Sequence, residues 1–138
     1  MALWHRLAVG TVMVLNCACA HVDQTGSCEW FEKNMKNYNK MLRWRELEQA
    51  GAGYMVPEQR ELFRTRAADL KKRDVTMTDF RILSSECDRE KGRAGARVEF
   101  DYFVLPSNRI KTELYQQTWQ LQEGGGGWRL QSGLPGFE

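Results

Sequence analysis

Between residues 94 and 104 apolar and polar positions alternate: Ala94, Ala96, Val98, Phe100, Tyr102 and Val104 share one parity, and Arg97, Glu99 and Asp101 the other. A period of two predicts a strand with one face in the core. Pro106, Ser107 and Asn108 supply turn chemistry, because Pro presets one turn dihedral and Asn tolerates the left-handed region. The chain is therefore expected to reverse into a second strand over 109–122. There Tyr115, Trp119 and Leu121 share a face with Lys111 and Glu113, while Ile110 and Leu114 take the other. That mixture implies that one end of the strand is covered on both sides. The four glycines 124–127 are read as a loop, since such a run costs too much backbone entropy inside a strand. Trp128, Arg129 and Leu130 then resume the alternation as a short last strand. Upstream, over 75–84, Val75 and Met77 share one parity and Phe80 and Ile82 the other. The phase change at Thr78-Asp79 predicts a bulge or bend.

Before these strands the period changes to that of a helix. Phe31, Met35, Tyr38 and Leu42 form one stripe, broadened by Trp30, Met41, Trp44 and Leu47, over a helix expected from Cys28 to Gln49. Ser27 is its expected N-cap, and Gly51-Ala52-Gly53 its expected terminator. Pro57 is placed to open a second helix, with Glu58 and Glu61 in its electropositive first turn. Leu62, Phe63, Ala67 and Leu70 are its buried stripe, and Lys71, Lys72 and Arg73 complement the dipole at its end. The order αα-ββββ follows.

The first stretch reads as an address label. His5 and Arg6 precede an apolar run over 7–15, and the small-residue cluster Cys17-Ala18-Cys19-Ala20 follows, which is the pattern of a secretory signal. The run is about half the roughly twenty residues a membrane-spanning helix needs. Two cleavages fit the cluster. Ala18-x-Ala20 suits ordinary signal peptidase and leaves His21 first. The cysteines also resemble a bacterial lipobox, with Cys19 as the acylated first residue, or Cys17 in an alternative register. The expected organisation is a signal over 1–20, a short linker over 21–27 and a single domain over 28–138. Cutting at Cys19 or His21 leaves Cys28 and Cys87 as an even pair in an oxidising compartment, which suggests a disulfide, with two separate buried thiols as the alternative. Cys17-x-Cys19-x-His21 has metal-ligating chemistry, but processing would dismantle it, so no metal is expected.

Charge narrows the partners. The chain carries 20 basic and 18 acidic residues, and the signal region holds one Arg and no acid. Near-balance gives no reason to expect a polyelectrolyte partner, and no aromatic-interleaved basic stripe supports nucleic acid. The remaining partners are an envelope protein, a small apolar ligand, and the membrane through a lipid on Cys19.

The helix pair, the strand over 75–84, the long hairpin and the closing Gly127-Trp128-Arg129-Leu130 resemble the NTF2-like, cystatin-like α+β superfamily, most closely small envelope lipoproteins of Gram-negative bacteria with that fold. The resemblance covers most of the chain after the signal. It implies an α+β domain in which two N-terminal helices pack on a curved four-stranded antiparallel sheet to make a cone, and the phase change at Thr78-Asp79 suits such curvature. The superfamily contains isomerases, dehydratases and non-catalytic binding domains, so the fold leaves the chemistry open.

Catalytic parts are sparse. His21 is the sole histidine after the signal, and the sequence has neither a nucleophile elbow nor a phosphate-cradling glycine motif. Nothing in it implies a cofactor. The catalytic option is an isomerase-like site, in which a carboxylate moves a proton and a Tyr stabilises an oxyanion. Its candidates are Asp79, Asp101, Tyr102 and Tyr115, although parity turns Asp101 away from Phe100 and Tyr102. The bland reading makes both aspartates solvated strand residues. Trp44, Phe103 and Trp128 are the candidates for an exposed aromatic binding group. The sequence thus favours a non-catalytic envelope binding domain, with a small enzyme or a structural accessory of an envelope complex as alternatives. Residues 134–137, Leu-Pro-Gly-Phe, are expected to fold back on the sheet, or else to dock a partner.

Overall fold

In the computed structural model residues 24–138 are described; the expectations for Cys17, Cys19 and His21 lie outside them. The chain forms α1 (Cys28–Arg43), α2 (Leu47–Tyr54), α3 (Arg60–Lys72), β1 (Val75–Asp88), β2 (Arg93–Val104), β3 (Lys111–Gln122) and β4 (Gly127–Leu130). The strands make one antiparallel sheet in the order β1-β2-β3-β4. It is an α+β fold, with the helices packed on one face of an open sheet.

Among the described residues there are three helices where the sequence predicts two, because the first ends six residues before Gln49. Arg45 takes a left-handed φ of 63°. Its N–H donates to the Leu42 carbonyl at 3.0 Å and that of Glu46 to the Met41 carbonyl at 2.9 Å. This is the hydrogen-bond pattern of a Schellman terminus, which glycine usually fills. An arginine in that position hides the helix end from a sequence reading. Gly51-Ala52-Gly53, the expected terminator, lies inside α2. Gly51 serves close packing instead: a Cβ there would stand 2.5 Å from the Phe63 ring, so its absence lets α3 approach α2. Ser27 does cap α1, accepting from the Trp30 N–H at 3.1 Å. Pro57 opens a short 3-10 turn, Pro57–Gln59, that leads into α3.

On the sheet the alternation of β2 holds. Ala94, Ala96, Val98, Phe100 and Tyr102 are buried. β1 carries the expected irregularity between Met77 and Asp79 and a second between Ile82 and Ser84, and it runs four residues past Ser84. β3 is not covered on both sides: Leu114 is half exposed on the outer face, and Ile110, just before the strand, is exposed as well. Leu62 also faces solvent, so the buried stripe of α3 is Phe63, Ala67 and Leu70. The core lies between the helices and the inner sheet face. Phe31, Met35, Tyr38 and Leu42 of α1 meet Val98, Phe100, Tyr115, Trp119 and Leu130 there.

Two ties close the layers. Cys28, at the start of α1, is joined to Cys87 near the end of β1 in a disulfide spanning 59 residues, with the Cα atoms 5.9 Å apart. Residues 134–137 fold back on the sheet. Phe137 is fully buried and meets Tyr102 edge-on with centroids 5.1 Å apart, and Arg73 donates to the Gly136 and Phe137 carbonyls at 2.6 and 3.2 Å.

Two substitutions in one helix are expected to have opposite signs. Gly51→Ala forces a Cβ against Phe63 and should cost about 1–3 kcal/mol. Gly53→Ala meets nothing within 4 Å and should gain up to about 1 kcal/mol. Urea unfolding of the oxidised protein reads both. Removing the disulfide by Cys28→Ser with Cys87→Ser should cost roughly 2–4 kcal/mol, and reductant should bring the parent protein down to the same midpoint.

Candidate functional site

The interior between the helices and the sheet is where the isomerase-like chemistry would have to reside, and side chains fill it. Phe31 meets Trp119 edge-on at 5.9 Å, and Tyr38 meets Trp119 at 5.8 Å and an interplanar angle of 87°. These edge-to-face contacts suit the ring quadrupoles. Trp128 completes the cluster at 5.6 Å from Phe31. Its indole N–H donates to the Ser27 carbonyl at 3.0 Å, so the last strand is tied to the start of α1.

A polar strip crosses this core. The Tyr38 and Tyr115 hydroxyls lie 2.9 Å apart. Next to them Gln117 Nε2 donates to Asn39 Oδ1 at 2.6 Å, and Asn39 Nδ2 donates to the Met35 carbonyl at 2.8 Å. The Trp119 indole N–H donates to Gln117 Oε1 at 3.3 Å. Among the described residues no buried side-chain polar atom lacks a partner. Burial raises the Tyr38 hydroxyl well above the ordinary tyrosine range, and raises Tyr115 for the same reason. Both phenols stay neutral at physiological pH. Periodicity identified Tyr38, Tyr115 and Trp119 as apolar-face residues but missed Asn39 and Gln117. Their positions one residue from Tyr38 and two from Tyr115 were the available signal.

The candidate carboxylates are elsewhere. Asp101 is on the outer face, where Arg81 holds it at 2.9 Å and also pairs with Glu99 at 2.6 Å. Thr112 donates to Asp101 Oδ1 at 2.9 Å. The hydrogen bonds from Arg81 and then Thr112 keep the Asp101 carboxyl below its usual range. Asp79 is exposed on the edge strand β1, which also carries Arg81, 3.9 Å away. The two aspartates thus come together around Arg81, on the side of the sheet opposite Tyr115. Tyr102 faces inward and donates to the Glu138 carbonyl.

The three aromatic binding candidates also separate. Trp44 is 64% exposed, with Arg43 stacked 5.0 Å from its ring. Phe103 is half-buried on the outer side of β2. Trp128 is 1% exposed and is a core residue, because β4 tucks against the first turn of α1. It does not present an aromatic surface.

One exterior cleft, of about 390 Å³, lies between α1, the end of α2 and the glycine turn before β4. Trp30, Asn34 and Met41, spaced four and seven apart on one face of α1, form one wall, and Gln49 and Tyr54 of α2 another. Gly125–Gly127 border it, and left-handed φ values of 71° and 81° at Gly124 and Gly125 explain the glycine run. Its volume falls within the range of small-ligand sites. No group of three or more potential metal-ligating residues occurs among the described residues. No described helix is long and apolar enough to cross a membrane.

No protein-family model and no curated protein sequence matches the chain. Among solved structures, the chain is similar to a SEC-C motif containing protein from Rhodopseudomonas palustris, with a TM-score of 0.59 at 12% identity over 80% of this chain and 81% of that one. A second similar structure is the intermembrane space region of the chloroplast protein ARC6, with a TM-score of 0.46 at 10% identity over 77% and 93%. At 12% identity the first likeness is one of fold alone.

The polar strip gives a pH prediction. A phenol whose folded pKa is raised stabilises the fold fully below the unfolded value of about 10, and that contribution is lost as pH climbs towards the folded value. Stability measured by urea should therefore hold to about pH 9 and fall above about pH 10. Tyr38→Phe with Tyr115→Phe should flatten that alkaline limb. Asn39→Ala should cost about 1–3 kcal/mol at neutral pH, because it leaves the Gln117 amide unpaired in the core.

Proposed function

We propose that this chain is a non-catalytic binding domain of the bacterial cell envelope, with an NTF2-like cone, exported by its leader and anchored by a lipid on Cys19. The observation that carries the non-catalytic reading is the position of the carboxylates. Asp79 and Asp101 cluster around Arg81 on the outer face, while Tyr115 is paired to Tyr38 in a filled interior. An isomerase of this kind needs a carboxylate and an oxyanion donor facing one cavity. The leader pattern and the joining of Cys28 to Cys87 support an oxidising compartment. A second reading, a structural accessory, is favoured by Leu114 on the outer sheet face and by Leu105 and Ile110 in the loop that joins β2 to β3, all about half exposed.

Intact mass of the chain recovered from membrane and soluble fractions tests this proposal. The expected species begins at an acylated Cys19 and is two hydrogens lighter than its reduced form. A full-length chain with reduced cysteines in the cytoplasm would overturn the envelope reading. For the chemical half, Asp101→Asn, on the outer face, should leave ligand binding on the helix side of the sheet unchanged.

A further inference from the structure

We propose that the cleft between α1, the end of α2 and the glycine turn is a saccharide-binding site, an inference that rests on the envelope-binding reading and names its ligand class. The chemistry of the lining selects the class. Trp30 and Met41 on one wall and Tyr54 on the other give the cleft apolar surface, and a sugar ring presents a patch of C–H bonds that packs on such surfaces. Hydroxyls ring the edge of a sugar, and the side-chain amides of Asn34 and Gln49 and the hydroxyl of Tyr54 stand around the cleft to meet them. None of these three groups is hydrogen-bonded to a described residue, in contrast to the fully paired core. Amides both donate and accept, as do hydroxyls, so the match does not depend on the ligand's protonation.

The charges point the same way. Arg129 is the single ionisable side chain of either sign among the lining residues apart from Tyr54, and one of its amino groups donates to the Gly53 carbonyl. Lys33 sits over the Trp30 ring, 4.6 Å from its centroid, a cation–π contact that helps hold the ring in place. An anionic ligand would find a single cation in the lining, Arg129, with one of its donors already given to the Gly53 carbonyl. A wholly apolar one would strand the Asn34 and Gln49 amides against it. The glycine turn adds backbone without side chains along one border, which lets a ring approach closely.

Titration of the mature chain with N,N′,N″-triacetylchitotriose and, separately, maltotriose, followed in ¹H–¹⁵N spectra, tests the assignment. Expected is a saturable millimolar or tighter shift of the Trp30 indole N–H and of the Gly125 to Gly127 amides with at least one of the sugars, the Trp119 indole staying still. Asn34→Ala, on the surface of α1, should weaken binding about fivefold and Trp30→Ala about tenfold, whereas Trp44→Ala, outside the cleft, should not change it. No saturable shift with either sugar overturns the proposal, as does a shift in the cleft with inorganic phosphate alone, or affinity unchanged in Asn34→Ala and Trp30→Ala. A lipidated envelope chain that binds neither sugar overturns the saccharide assignment alone. A cytoplasmic chain with its leader intact overturns the envelope reading whatever the titration gives.

Discussion

The edge-on packing of Phe31 and Tyr38 against Trp119 is the contact on which the rest of the structure depends. It seats α1 across the inner face of β3 and so fixes where the other elements can lie. α2 and α3 are then held against that helix, through Tyr54 on Tyr38 and Phe63 on Tyr38. β4 follows because Trp128 must lie beside Phe31. Burying large aromatic side chains is the largest favourable term available to a domain of this size.

That packing has a functional consequence. Helices packed on a sheet can hold a ligand between them only if that interior is left open, and here rings and a self-satisfied amide and phenol strip occupy it. Buried polar groups that pair among themselves stabilise one arrangement and offer nothing to a ligand. Chemistry available to a partner is therefore at the periphery, in the cleft beside Trp30 and on the outer sheet face around Arg81. The disulfide and the buried Phe137 act in the same direction, since they fasten the ends of the helix layer to the sheet.

Much of this fold is legible in the sequence, for physical reasons specific to each element. β2 is readable because its strict alternation directly records one buried and one wet face. The bulge after Met77 is readable because a phase slip leaves a parity change. The break at Arg45 is not, because a non-glycine residue adopts the left-handed conformation and the hydrogen bonds that hold it involve only backbone. The second irregularity of β1, between Ile82 and Ser84, falls where the half-buried Ile82 gives way to a run of exposed residues, beyond which parity carries no hydrophobic signal. The site was less legible than the fold. Trp128 is indistinguishable from an exposed aromatic until β4 is seen against α1. Trp30, Asn34 and Gln49 become one cleft only when α1, α2 and the glycine turn meet.

The most direct test of the central claim, a closed interior with function at the periphery, is hydrogen exchange at the tryptophan indoles. Trp119 and Trp128 should exchange through global unfolding alone, with protection that tracks the unfolding free energy, while Trp30 and Trp44 exchange far faster. Rapid exchange at Trp119 in the folded protein would mean that the cone opens to solvent, and would contradict the account.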